Sequence, residues 1–183
     1  MILVVGLGNP GHQYLNTRHN IGFLALDFFS KRHSFEVTSS KFNSLYCQTP
    51  LLNQKILFIK PQTFMNLSGQ AVKHFSEFYK IPSQKIIILH DDIDLPFETI
   101  RKKAKGGHAG HNGVKSIMET LGTDQFVRLR LGVGRPFDTT DVSDYVLSQF
   151  TAEEKQKLPA LLERASELLE KTLVDEEIED DIG

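Results

Sequence analysis

The chain opens on Met1-Ile2-Leu3-Val4-Val5-Gly6-Leu7-Gly8-Asn9-Pro10-Gly11, and the fold class follows from these residues. Residues 1–7 form a short apolar run, rich in Val and Ile and stopping at glycine, which is the pattern of a buried strand. Gly8, Pro10, Gly11 and Asn16 then mark a loop. Beyond it the apolar period becomes helical. Ile21, Leu24, Ala25 and Phe28 share one face of a helix expected over about residues 20–31.

The same exchange of periods continues along the chain. Residues 44–52 and 55–60 read as paired strands around a short turn at Asn53-Gln54. A helix over about residues 67–79 places Ala71, Val72, Phe75, Phe78 and Tyr79 on one stripe, and Pro82 limits it. Residues 85–89 are a further buried strand ending at His90-Asp91-Asp92, and residues 99–104 another strand. The glycine-rich segment Gly106–Gly113 leads into a helix through Val114, Ile117, Met118 and Leu121. Residues 126–133 alternate cleanly, which predicts a strand with Arg128 and Arg130 on a solvated face. Thr151-Ala152-Glu153-Glu154 is a capping box, followed by leucines at helical spacing to Leu173; Pro159 is expected to kink that helix or restart it. Strands alternating with helices, with no internal repeat or linker, predict an α/β fold. We expect a single domain over 1–183 with a central mixed, mostly parallel twisted sheet flanked by helices.

Composition limits the function classes. A chain of 183 residues with 40% apolar and 24% charged residues can bury a substantial core, which excludes disorder and collagen. No apolar run approaches the about 18 residues a membrane helix needs. No basic segment precedes the first apolar run, so no signal peptide is expected. The one cysteine, Cys47, cannot form an internal disulfide, which points to a reducing cytosol. The net charge of −2 hides an asymmetry. Residues 101–135 carry eight Lys/Arg against two acids, whereas residues 151–183 carry four against eleven. Screening limits each charge to about 8–10 Å, so the local basic cluster matters to a polyanion more than the average does.

Chemistry has few places to sit. Gly6-Leu7-Gly8-Asn9-Pro10-Gly11 matches G-x-G-x-x-G, but a dinucleotide site needs a helix to begin inside the motif, and here the periodic helix waits until about residue 20. Polar groups with little structural excuse stand at Asn9, Asn66 and Asp91, where loops at the ends of parallel strands converge. Asn66 as a helix cap and Asp91 as a turn former are the structural alternatives. His19 closes the glycine loop and directly precedes a helix. His108-x-x-His111 near His90-Asp91 suggests a metal as an alternative, though HExxH and CxxC patterns are absent. There is no G-x-S-x-G elbow. Histidine–carboxylate general-base chemistry among amide side chains is the leading reading.

Four motifs then converge: Val5-Gly6-Leu7-Gly8-Asn9-Pro10-Gly11 running to Tyr14, Thr17-Arg18-His19-Asn20 and Gly22; Lys60-Pro61 with Thr63-Phe64-Met65-Asn66-Leu67-Ser68-Gly69; His90-Asp91-Asp92 with Asp94-Leu95-Pro96; and Gly106-Gly107-His108 with Gly110-His111-Asn112-Gly113. In order and spacing they closely resemble the bacterial peptidyl-tRNA hydrolase family, over residues 1 to about 147. The resemblance implies a small, cytoplasmic, monomeric α/β enzyme that needs no metal or cofactor. Such an enzyme cleaves the ester between a peptide and the 3′-terminal ribose of tRNA, its partner being the acceptor end and 3′ CCA of peptidyl-tRNA. It makes His19 the general base, Asp91 its partner and Asn9 the catalytic-site asparagine. Asn66 and Asn112 would hold the peptidyl end and position water, Tyr14 and Met65 would line the cleft, and Lys103 and Arg130 would grip the terminal phosphate region. Asp92 is a supporting carboxylate and His111 shapes the glycine loop. A non-catalytic tRNA-binding module of the same fold is the alternative. The acidic end 175–183 departs from the more basic end common in the family; it is either a disordered, solvated tail or a segment folded over the basic surface.

Overall fold

The computed structural model describes residues 1–175; residues 176–183, with both readings of the acidic tail, lie outside the described residues. Among the described residues, seven strands form one sheet in the order β2-β3-β4-β1-β5-β7-β6. In chain order these are β1 (Ile2–Gly6), β2 (Ser39–Lys41), β3 (Ser44–Leu51), β4 (Gln54–Pro61), β5 (Ile86–Asp92), β6 (Ile100–Lys103) and β7 (Val127–Gly132). The helices are α1 (Ile21–Arg32), α2 (Ser68–Phe78), α3 (Asn112–Leu121), α4 (Val142–Val146) and α5 (Ala152–Val174). The central strands β4, β1, β5 and β7 run parallel, and β2, β3 and β6 pair antiparallel at the edges.

Helices cover both faces, which is why the central strands read as continuous apolar runs. Successive side chains alternate between the faces. Ile2 and Val4 of β1 pack with Ile87, Leu89, Val127 and Leu129 against Phe29 of α1 and Leu161 and Leu169 of α5. Leu3 and Val5 pack with Ile86 and Ile88 against Val72 and Phe75 of α2 and Val114 and Ile117 of α3. The chain leaves β1 toward the β4 side of the sheet and leaves β5 toward the β7 side, so the carboxyl ends of β1 and β5 form a crevice between diverging connections.

Glycine brings α1 down onto that crevice. A Cβ on Gly22 would fall 2.3 Å from the Leu89 carbonyl oxygen and 2.6 Å from the Leu7 backbone, and one on Gly6 would fall 2.6 Å from the Gly22 oxygen. These two motif glycines therefore serve packing. The stretch from Gly11 to α1 holds short 3-10 turns at His12–Tyr14 and Arg18–Asn20, and no helix starts within the glycine motif as a phosphate cradle requires.

Several expectations are corrected. The β3–β4 turn is Leu52-Asn53, one residue earlier than expected, and both residues have positive φ (51° and 60°), the twist a two-residue hairpin favours. Helix α5 runs through Pro159 without restarting there. An interior proline costs about 3 kcal/mol. The Thr151–Glu154 capping box and the buried Leu161, Leu162, Leu169 and Leu173, each worth about 1.5–3 kcal/mol, outweigh it. Strand β2 and helix α4 were not anticipated. No described helix is long and apolar enough to cross a membrane.

Candidate active site

Three segments distant in sequence meet at the carboxyl ends of β1 and β5. Asp91, near the end of β5, is 2% exposed and carries a histidine on either side. The Nδ1 atom of His19 lies 2.9 Å from both Asp91 carboxylate oxygens, and Nε2 of His111 lies 2.7 Å from Oδ1. Burial alone would raise the Asp91 pKa, but the two imidazoles outweigh it and hold the carboxyl well below the usual range. Burial alone would lower the His19 pKa, but the charge of Asp91 and its hydrogen bond reverse this, and His19 titrates above the ordinary value of 6.5.

The hydrogen bonds set the tautomers. His111 is the N-cap of α3, and its Nδ1 accepts from the backbone N–H of Gly113 (3.1 Å) and Val114 (3.2 Å). Its proton is therefore on Nε2, donated to Asp91. His19 donates Nδ1–H to the same carboxylate, which leaves the Nε2 lone pair for the cavity that His19 lines. His90 donates Nδ1–H to the Asp91 carbonyl oxygen (2.7 Å), its Nε2 is buried without a partner among the described residues, and its ring stands edge-on to His111 at 4.8 Å. Burial first, and His111 second, push its pKa down to about 3, so it stays neutral.

The cavity measures about 320 Å³ and is lined by His19, Asp91 and Asn112 on its polar side and by Ile93, Val146 and Leu147 on its apolar side. Asn9, Tyr14, Met65 and Asn66 lie outside these walls. Asn9 is fixed from two directions: the Asn20 carboxamide accepts from its N–H (2.8 Å) and donates to its carbonyl (3.0 Å), while its own Oδ1 accepts from the Met65 N–H (2.8 Å). Nδ2 is thus the donor Asn9 has to offer. Met65 is buried, and its thioether lies so close to Gly113 that a Cβ there would fall 2.5 Å from Sδ. Asn66 and Asn112 are exposed at the starts of α2 and α3. Neither caps its helix, since Leu67 and His111 occupy those positions. Tyr14 is half-buried in the turn before α1.

The metal alternative moves from its predicted place. His108 accepts from the Gly110 N–H (3.0 Å) within its own loop, and the group of potential ligands among the described residues is His19, Asp91 and His111, with ligand atoms within 4.8 Å of one another. This donor set does not fit a cation. An ion would have to replace the two protons that hold the rings to Asp91, and His111 would then face two N–H donors with its remaining nitrogen.

The basic strand also differs from expectation. Arg128 is 2% exposed, and its guanidinium donates to the carbonyls of Gly106, Gly107 and Asp124. It secures the glycine loop and presents no charge to solvent. Arg130 is half-buried, with Nε donating to Asp92 Oδ2 at 2.7 Å. Lys102, Lys115 and Arg135 are paired with Asp175, Glu119 and Asp94. Arg101, Lys103 and Lys105 have no ion pair among the described residues, so the segment's apparent surplus contracts to them.

Sequence reasoning gave His111 and His90 only to the metal alternative and His111 to the shape of the glycine loop, and it did not assign Asn20 or the α4 wall to the site. A polar residue directly before a helical period is an N-cap signal, but histidine is not among the favoured caps, and its second nitrogen has no sequence signature.

The family model described as peptidyl-tRNA hydrolase matches residues 3–182. The peptidyl-tRNA hydrolase of Alkaliphilus oremlandii is 48% identical over 175 residues, covering 96% of this chain and 94% of that protein. That of Geobacillus thermodenitrificans is 47% identical over 173 residues, covering 94% and 93%. A crystal structure of peptidyl-tRNA hydrolase from Acinetobacter baumannii superposes with a TM-score of 0.88 at 35% identity, covering 95% of this chain and 88% of that one. With its match spanning nearly the whole chain, and with relatives of nearly equal length, this protein belongs to the peptidyl-tRNA hydrolase family.

Proposed function

We propose that the chain, as one unit over residues 1–183, hydrolyses the ester joining a peptide to the 3′-terminal ribose of tRNA, acting as a cytoplasmic monomer without metal or cofactor. The observation that carries this reading is the His19 imidazole, held by Asp91 through Nδ1 with Nε2 turned to the cavity. Neutral His19 takes a proton at Nε2 from water, and the resulting hydroxide bonds to the ester carbonyl carbon. Asp91 stabilises the imidazolium and keeps the tautomer. The tetrahedral intermediate collapses with loss of the ribose oxygen, which recovers the proton from His19, leaving free tRNA and a peptide acid. General-base catalysis contributes about 10²–10⁴ in rate.

Asn9 Nδ2 is the donor offered to the reacting group, since Oδ1 is committed to Met65. Asn66 and Asn112 hold the peptidyl end and position water; their amides offer donor and acceptor without charge. Tyr14 and Met65 flank the cleft. Lys103, which has no ion pair among the described residues, and Arg130, with only Nε engaged by Asp92, grip the phosphates of the acceptor end.

The test is single-turnover hydrolysis of N-acetyl-aminoacyl-tRNA with and without EDTA, alongside the unblocked aminoacyl-tRNA. EDTA-resistant cleavage of the blocked substrate alone is expected. EDTA-sensitive cleavage overturns the metal-free mechanism, and binding without cleavage overturns the enzyme assignment in favour of a binding module.

A further inference from the structure

The turn that presents His19 also carries Arg18, which the chemistry above does not use. Arg18 is 4% exposed. Its Nη1 donates to Ser148 Oγ (2.5 Å) and to the Gln149 carbonyl (2.8 Å), and its Nη2 to Glu154 Oε1 (2.5 Å). Its guanidinium carbon lies 4.3 Å from the Tyr145 ring centre and 5.7 Å from that of Phe150. The backbone repeats the attachment: Arg18 N–H donates to the Ser148 carbonyl (3.1 Å), and Thr17 bridges Gln149. Every one of these partners lies between residues 145 and 154, the stretch that ends α4 and starts α5. Arg18 Nε is buried with no partner among the described residues, so the placement serves the acceptors across the gap and leaves a donor of the turn unsatisfied.

What Arg18 grasps is one wall of the cavity. Val142, Val146 and Leu147 of α4 and its end line it together with His19 and Asp91. Helix α4 has five residues, too few to be held by its own hydrogen bonds. Its position relative to the base is therefore set by its attachments, and Arg18 is covalently adjacent to the base.

We propose that Arg18 is a positioning residue that fixes the apolar α4 wall against the His19 turn, so that the wall holds the substrate's acyl side chain with its carbonyl in reach of the activated water. This rests on the peptidyl-tRNA reading above. A bulky apolar acyl group uses the wall, and glycine does not. Lysine keeps the charge at position 18 but cannot reproduce the planar fork that reaches three acceptors.

The experiment compares kcat/KM of wild type, Arg18→Lys and Glu154→Gln on N-acetyl-leucyl-tRNA and N-acetyl-glycyl-tRNA. Arg18→Lys is expected to lose about tenfold or more on the leucyl substrate and less than about threefold on the glycyl one, the range that burial of a few methylenes commands. Glu154→Gln retains the capping acceptor and is expected to lose in the same direction by about threefold. The pH midpoint should stay in place, because Asp91 and not Arg18 sets His19. Equal loss on both substrates, or a moved midpoint, shows a merely structural role and overturns the proposal, as does full leucyl activity in Arg18→Lys. If Arg18→Lys does not fold, the substrate split in Glu154→Gln decides. Wild type inactive on both substrates instead removes the peptidyl-tRNA reading itself.

Discussion

The cluster around Asp91 and the basic ridge of β6 and β7 are built in opposite ways. The first draws on residues 19, 91 and 111, which no local pattern connects, and every proton in it has an assigned place. The second comes from one stretch of sequence, residues 101–135, and looks like a single positive surface, yet one of its arginines is a buried fastener and Lys102, Lys115 and Arg135 are paired with acids in place. Proximity in sequence therefore overstated the electrostatic site and understated the catalytic one. Charges near each other in sequence attract internal partners before any external one, because unpaired charge is costly wherever the fold partly buries it.

Substitutions can break this contrast. The largest effect is expected at His19. His19→Ala should lower single-turnover hydrolysis by about 10²–10⁴ with tRNA affinity retained; an equal loss of affinity in a filter-binding assay would transfer His19 from base to binding group. Next comes Asp91→Asn. It should lower the rate and move the ascending limb of the pH–rate profile to lower pH, because Asp91 is what raises His19 and the neutral imidazole is the active form. A limb that stays in place, or moves up, would separate Asp91 from the base. The raised pKa also has a sign in stability. The protonated pair stabilises the fold fully below the unfolded value of about 6.5 and is lost as pH rises through the folded value. The melting temperature of wild type, relative to His19→Gln, should therefore fall as pH rises from about 6.5 through the raised folded value.

On the ridge, the two arginines should part company. Arg128→Met should cost about 2–4 kcal/mol in denaturant unfolding, with three carbonyls left unpaired, and leave the salt dependence of tRNA binding unchanged. Lys103→Ala should leave stability intact and reduce the logarithmic salt slope by about 0.7–0.9, one phosphate contact. A changed slope in Arg128→Met would return that residue to the surface assigned to it by strand alternation.

That alternation illustrates how far a pattern reaches. It placed Arg128 correctly on the face opposite Val127 and Leu129, but which face meets water depends on what packs there, and here the glycine loop and Asp124 fold over it. The same limit hid β2, whose Ser39-Ser40-Lys41 has no strand character and exists through its pairing with β3. It also hid α4, which is held by Arg18 and by the Tyr145 hydroxyl donating to the Val133 carbonyl. The strands of the parallel core, the β3–β4 hairpin and the capped start of α5 were readable because their signals are local: a run, an alternation, a cap three residues from its partner.

The order of residues settled most of the elements, the α/β class and the family motifs, since each depends on composition and period within a few turns of chain; His19 and Asp91 were paired by the family resemblance those motifs carry. The folded chain was needed for what lies between elements. It gave His111 the proton that faces Asp91, because two backbone N–H groups of α3 claim its other nitrogen. It reduced the basic segment to a few solvent-facing charges and joined α4 to the His19 turn. These are pairings between groups tens of residues apart, and hydrogen-bond geometry within about 3 Å cannot be inferred from spacing along the chain.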